Sequence, residues 1–179
     1  AVMFPSLEAV RAVCVVSPLA ADFLASPEAP IVLLRRLPPR QSACPTIADA
    51  VAPRNPWLGA MLPYTPLHRL LIDAAGLPLV CTSGNLSEEP MCVDERDARA
   101  RLGSVADRFL VHDRPIIRPV DDSVVRIGPQ GPELLRRGRG FAPLPLTWPA
   151  VAEQGRTTRS DRCVLAFGAH LKSTVALAH

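Results

Sequence analysis

The sequence predicts an α/β domain, and three observations carry that prediction. Hydrophobic residues make up 48% of 179 positions, ample for a packed core. Strand, helix and strand patterns succeed one another from Trp57 to Cys81, a βαβ signal. The apolar run Leu79-Val80-Cys81 empties into Thr82-Ser83-Gly84-Asn85-Leu86-Ser87-Glu88-Glu89-Pro90, and in open α/β sheets the loop past a strand's carboxyl end is where ligands sit.

Ser6, followed by Leu7, Val10 and Val13 at helical spacing, predicts a capped helix with Glu8 favouring its dipole. A short strand follows around Cys14 to Val16. Ser17-Pro18 places proline at the first helical position, and Leu19, Phe23 and Leu24 form the apolar side of a second helix. Pro30 to Leu34 reads as a buried strand. The proline-rich stretch 37–56 reads as a long irregular loop, a kind that in compact domains tends to be functional or mobile. Trp57 to Leu62 is a strand, and Pro63-Tyr64-Thr65-Pro66 turns into a helix with Leu67, Leu70, Leu71 and Ala74 on its apolar side, stopped by Gly76. After the strand Leu77 to Cys81, a helix starting at Val93 or Asp94 runs through Ala98 and Leu102. Strands are expected near Arg108 to Val111, Ser123 to Ile127 and Glu133 to Arg136, the last two joined by a Gly128–Pro132 turn. Residues 141–161 have the composition of a linker, and Cys163–Phe167 and Thr174–Leu177 read as a further pair of strands.

Composition excludes several classes. No run of 18 apolar residues and no basic-then-apolar leader is present, so a membrane span or signal peptide is not expected and cytoplasm is the default compartment. Cysteines 14, 44, 81, 92 and 163 are scattered and fit reduced structural thiols, while no close Cys or His pairs offer a metal site. The net charge is only +3, yet Arg114, Arg118, Arg126, Arg136, Arg137 and Arg139 cluster between residues 114 and 139. Such a cluster is either a positive surface for an anion or a solvated basic face. The opening Ala1-Val2-Met3-Phe4 and the apolar closing stretch read as the ends of a fragment.

Four motifs bear on chemistry. Gly168-Ala169-His170-Leu171-Lys172-Ser173 lacks the second glycine of a phosphate-wrapping Walker loop, and a hairpin provides no helix N-terminus. Asp121-Asp122-Ser123-Val124-Val125-Arg126 would organise Mg²⁺, hold an arginine, or simply turn the chain. In Leu135-Arg136-Arg137-Gly138-Arg139-Gly140, guanidinium groups between glycines are able to fork onto phosphate oxygens, with an RNA-binding patch as the competing reading. His68 reads as a helix-surface or satisfied core histidine, and Lys172 as a surface residue.

Met61-Leu62-Pro63-Tyr64-Thr65-Pro66-Leu67-His68, the Thr82–Pro90 loop, His112-Asp113-Arg114-Pro115-Ile116, Asp121–Arg126 and Leu135–Pro143 together resemble the YrdC-like domain of the HypF family. These are carbamoyltransferases of [NiFe]-hydrogenase maturation. Residues 163–179 resemble the start of that family's Kae1-like domain. The implied organisation is a YrdC-like ATP- and carbamate-binding domain over 1–145 with its N-terminal strand truncated, a linker over 146–162, and the opening of a second domain over 163–179. The resemblance implies an open, twisted mixed sheet with helices and a positive cavity that binds ATP without a Walker loop. It also implies a route in which carbamoyl phosphate is hydrolysed, carbamate attacks ATP to give carbamoyl adenylate, and the carbamoyl group passes to a C-terminal cysteine of HypE.

On that chemistry Arg136, Arg137 and Ser83 are the catalytic candidates. Thr82, Ser83, Asn85, Ser123, Arg126, Arg136, Arg137 and Arg139 are the candidates for ATP and carbamate binding. Fixed guanidinium groups and Mg²⁺ would stabilise charge on the phosphoryl oxygens without covalent help from the protein, and no residue is assigned as a metal ligand. The cationic Lys-Arg-Pro and Lys-Pro run typical of the family is expected just before Ala1 and is absent from this sequence, so ATP is expected to bind the fragment weakly or not at all. Threonylcarbamoyl-adenylate synthases, the nearest rival, usually carry a basic residue where Met61 stands. A double-stranded-RNA-binding module is the second rival.

Overall fold

The computed structural model describes residues 1–38, 47–144, 164–167 and 175–178. The strands are β1 (Val2–Met3), β2 (Cys14–Val15), β3 (Ile31–Arg36), β4 (Trp57–Met61), β5 (Leu79–Val80), β6 (Val124–Gly128), β7 (Gly131–Arg136), β8 (Val164–Phe167) and β9 (Val175–Ala178). The α-helices are α1 (Leu7–Arg11), α2 (Pro18–Ala25), α3 (Pro66–Ala75) and α4 (Glu95–Leu102), with a 3₁₀ turn at Asp49–Val51. The main sheet runs β5-β1-β4-β3-β6-β7, and β2 pairs with β3. It is mixed: β1 lies parallel to β4 and β3 parallel to β6, and the other pairs are antiparallel. Strands β8 and β9 form a separate antiparallel pair.

The helices start where local chemistry starts them. Ser6 Oγ accepts the Ala9 N–H at 3.2 Å, Ser17 Oγ that of Ala20 at 3.2 Å, and Thr65 Oγ1 that of His68 at 3.1 Å. Asp94 Oδ1 accepts from both Arg96 and Asp97, at 2.8 and 3.0 Å. Each cap satisfies amides that the first turn leaves open. Gly76 closes α3 at φ +65°, a left-handed position where a side chain would be strained.

The period of two in the strands divides the sheet into two faces. Val32 and Leu34 of β3, Leu58 and Ala60 of β4, and Val2 of β1 pack with Phe4, Val10, Val13, Ala20 and Leu24. That face, under α1 and α2, is the main core, where each fully buried Leu or Val contributes about 1.5–3 kcal/mol. The opposite face carries Met3 and Met61, which pack with Ile72 of α3, Ile31 and Tyr64. Helix α3 covers only this end, and the rest of the second face stays open.

The expected strand at Arg108 to Val111 does not form: residues 106–120 hold neither helix nor strand. An apolar run becomes a strand only where a neighbour offers a paired edge, and here Leu110 and Val111 stand 69% and 44% exposed beside α4. Residues 37–38 and 47–56 are irregular apart from the 3₁₀ turn, and 39–46 lie outside the described residues. The linker 146–162 and the loop 168–174, with its rejected Walker-like motif and Lys172, lie outside them too. No described helix is long and apolar enough to cross a membrane.

Candidate functional site

The open face holds a cavity of about 560 Å³, within the usual range of ligand pockets. Its floor is the sheet: Ile31 and Leu33 of β3, Gly59 and Met61 of β4, and Val124 of β6. One wall is Cys81-Thr82-Ser83-Gly84, past the carboxyl end of β5, and the other is Arg136 and Arg139 with Asp121 and Asp122. Thr82 and Ser83 are exposed.

Arg136 owes its place to an irregularity in pairing. Val124 pairs with Arg136 but Val125 with Leu134, so Leu135 is an extra residue in β7. In an unbroken register Leu135 would oppose Val124, and Arg136 would fall on the other face. The bulge turns the guanidinium onto the face of Val124, where it lines the cavity and is exposed, with no protein partner among the described residues.

Arg139 also lines the cavity, but its donors are spent. Its Nε donates to Asp122 Oδ1 at 2.8 Å, Nη2 to the Ala29 carbonyl at 2.9 Å and Nη1 to the Glu28 carbonyl at 3.3 Å. Tyr64 donates to the same Asp122 oxygen at 3.3 Å. Burial, reinforced by the Asp122 carboxylate, raises the Tyr64 phenol above its ordinary pKa and keeps it a donor. His68 meets the Tyr64 ring edge-on at 4.4 Å, and its Nδ1 is buried without a partner among the described residues. Burial lowers the His68 pKa, Asp122 opposes the shift and Arg139 adds to it.

The glycines flanking Arg139 have a reason other than anion access. A Cβ on Gly138 would lie 2.2 Å from the Asp121 carbonyl oxygen, and one on Gly140 would lie 2.5 Å from that of Glu28. They let residues 138–140 thread between two backbone segments, with Gly140 at φ +87°.

Four of the sequence candidates meet in this cavity: Thr82, Ser83, Arg136 and Arg139. The other four sit elsewhere. Ser123 is fully buried; its hydroxyl donates to the Arg139 carbonyl at 2.9 Å and accepts the Gly138 N–H at 2.8 Å. Arg137 donates to the carbonyls of Phe141 and Leu144. Asn85 Nδ2 donates to the Leu86 carbonyl at 2.8 Å, bracing its own turn. Arg126 pairs with Glu133 through Nε at 3.0 Å and Nη2 at 2.5 Å, and borders a neighbouring trough. Sequence reasoning missed Tyr64 as a wall and Ile31, Leu33 and Gly59 as a floor, although alternation in β3 and β4 marks one face of the sheet.

Burial pushes the Cys81 thiol up, which disfavours a thiolate nucleophile in the cavity. Among the described residues no group of three or more His, Cys, Asp or Glu is placed to hold a metal ion. Among the described residues the cavity offers one unpaired guanidinium, two hydroxyls and an apolar floor, with the Asp121 and Asp122 carboxylates in the Arg136 wall, and the Arg136 end is suited to an anion carried on a larger apolar body.

An open mixed sheet with such a cavity past β5 and β7, and no glycine-rich phosphate loop, defines a class of α/β ligand-binding domain. The Sua5/YciO/YrdC family model, described as telomere recombination, matches residues 1–138, and the chain belongs to that family. It is similar to carbamoyltransferase HypF of Synechocystis sp., 48% identical over 160 residues, covering 89% of this chain and 19% of the relative. HypF of Rhodobacter capsulatus is 47% identical over 160 residues, covering 86% and 20%. The chain thus spans about a fifth of these relatives' length. Full-length HypF in a phosphate- and nucleotide-bound form superposes with a TM-score of 0.73 at 40% identity, covering 80% of this chain and 22% of that one. HypF of T. kodakarensis gives 0.76 at 36% identity, covering 83% and 19%. P. abyssi Sua5 complexed with L-threonine gives 0.61 at 16% identity, covering 76% and 39%, a likeness of fold alone.

Proposed function

We propose that this chain is the adenylate-forming part of a HypF-type carbamoyltransferase. Carbamate derived from carbamoyl phosphate attacks the α-phosphorus of ATP; its oxygen bonds to phosphorus, the bond to the β-phosphate oxygen breaks, and pyrophosphate leaves. The carbamoyl group of the resulting adenylate then passes to a C-terminal cysteine of HypE. The carrying observation is Arg136, a cavity-lining cation left without a protein partner among the described residues.

Attack at phosphorus spreads negative charge over phosphoryl oxygens and leaving group, so fixed positive charge and hydrogen-bond donors do most of the catalytic work. Arg136 supplies the charge. The Thr82 and Ser83 hydroxyls face it across the cavity as donors to phosphate or carbamate, and the Arg139 network fixes the wall. Asp122 is ion-paired with Arg139, and among the described residues no group of three or more His, Cys, Asp or Glu is placed to hold a metal ion, so in this reading Mg²⁺ arrives on the triphosphate. The resemblance to proteins named carbamoyltransferases supports the group transferred. The RNA-binding alternative loses support where Arg126, Arg137 and Arg139 are bound to the protein's own carboxylate or carbonyl oxygens.

The test is exchange of labelled pyrophosphate into ATP by the polypeptide that carries this sequence. Exchange that requires carbamoyl phosphate is expected. Exchange that requires threonine and bicarbonate instead would replace this reading with the threonylcarbamoyl one, and no exchange under either condition would overturn adenylate formation.

A further inference from the structure

We propose that α4 and the segment 107–120 together form a docking face whose occupant is an extended, apolar segment of the same polypeptide lying outside these 179 residues. From residue 73 to residue 122 no position is buried, although the stretch includes β5 and α4. Helices in proteins are stabilised mainly by packing an apolar face, yet α4 has no buried residue. It is pinned instead through Arg101, whose Nη1 donates to Asp97 at 2.8 Å and whose Nη2 donates to Glu89 at 2.6 Å and to the Pro90 carbonyl at 2.8 Å. One side of the domain is thus fixed in place without a core of its own.

The segment beside α4 has the surfaces of a strand and lacks the pairing. Among the described residues no N–H or C=O from 107 to 120 makes a backbone hydrogen bond, and the Arg114 N–H is spent on the His112 ring at 3.2 Å. Ile116 and Ile117 stand 49% and 87% exposed, next to the exposed Leu110 and Val111. With α4 the segment encloses a groove of about 500 Å³, lined by Val93, Ala98, Phe109, Leu110, Val111 and Ile116 among others. Arg108 to Arg114 is a proline-free run centred on Phe109-Leu110-Val111, and Pro115 ends any ladder by withholding its donor. Open donors and acceptors beside an apolar groove are what an added strand requires: main-chain bonds for affinity and a groove for its side chains.

Size and tethering select the occupant. The face exposes on the order of a few hundred Å² of apolar surface, below the roughly 800 Å² per partner of a stable complex between separate molecules. A segment joined to the domain meets the same face at an effective concentration on the order of millimolar, where a small area suffices. The chain spans about a fifth of the length of the HypF relatives it matches, so a polypeptide of that kind carries ample sequence to supply such a segment.

The experiment uses the polypeptide that carries this sequence, purified alone. Amide hydrogen exchange is followed over 107–120, and in a second preparation Ile117 is replaced by photoreactive benzoylphenylalanine and the cross-linked peptides are identified by mass spectrometry at two protein concentrations tenfold apart. Amides 108–114 are expected to exchange at least tenfold more slowly than an open chain, and position 117 to cross-link within one molecule to a peptide outside residues 1–179, equally at both concentrations. Leu110→Asp combined with Ile117→Asp should release the 108–114 amides while those of β3 and β4 stay protected. Open-chain exchange over 108–114 in the unsubstituted polypeptide overturns the proposal, as do cross-links confined to residues 1–179. A cross-link between two molecules that grows with concentration replaces the tethered segment by a second copy and overturns it too.

Discussion

The Arg139 guanidinium lies 3.6 Å over the centre of the Tyr64 ring, and both residues reach the same carboxylate oxygen of Asp122. Through its other nitrogens Arg139 also holds the Glu28 and Ala29 carbonyls, and Ala29 sits at φ +43°. Replacing Arg139 by Ala strands a half-buried carboxylate and two carbonyls. A loss of about 2–3 kcal/mol in urea unfolding is expected. Lysine should recover little, because an ammonium cannot reproduce the planar fork. A stability unchanged within error in Arg139→Ala would show that the network is dispensable.

Arg136 should behave in the opposite way. Exposed and without a protein partner, it contributes little to folding, so Arg136→Ala is expected to change stability by less than about 0.5 kcal/mol. Its loss should remove about 1.5–3 kcal/mol from phosphate binding or transition-state stabilisation, roughly ten- to a hundredfold. Pyrophosphate exchange at the wild-type rate in this variant would strip Arg136 of its role.

Ser123→Ala tests a purely architectural part. The buried hydroxyl bridges the Gly138 N–H and the Arg139 carbonyl, and its removal leaves both without that partner. A cost of about 1–3 kcal/mol is expected. Gly138→Ala should cost more, since a methyl group there meets the Asp121 carbonyl oxygen at 2.2 Å. Thermal denaturation measures both, and a Ser123→Ala protein as stable as the wild type would contradict the account.

His68 gives the domain a pH dependence whose sign follows from burial. Its folded pKa is lowered below the ordinary 6.5, so the unfolded chain takes up a proton before the folded one does. Stability from this group is complete above pH 6.5 and declines as pH falls from 6.5 through the lowered value. Urea unfolding between pH 7.5 and 5 should show a shallower decline in His68→Gln than in the wild type. Parallel pH curves for the two would assign the dependence to other groups.

Much of the fold was legible because it is local. Ser6, Ser17, Thr65 and Asp94 announce their helices by hydrogen bonds that span three residues or fewer. The alternation in β3 and β4 announces two faces. The Arg136–Arg139 run was legible as a cationic segment but not as three separate roles. One extra residue in β7 decides which side chain meets the cavity, and partners more than a hundred positions away claim Arg139. Ser123 looked like a ligand because hydroxyls serve ligands and backbones equally well, and only burial tells them apart. The absent strand at Arg108–Val111 shows the same limit, since a strand depends on an edge that its own sequence does not encode.

The contacts that close the cavity wall join residues 28–31 to residues 124–139. Arg139 meets Glu28 and Ala29 across 111 and 110 positions, and β3 finds its parallel neighbour β6 between Ile31 and Val124. Loops of that length close slowly, and long-range pairing is the costly step in reaching the native state. During synthesis β1 to β4 emerge well before the residues that complete the wall, with the Ile31–Leu33 part of one β3 edge still waiting for β6. The cavity is therefore a late product of folding, present only once residue 139 has docked.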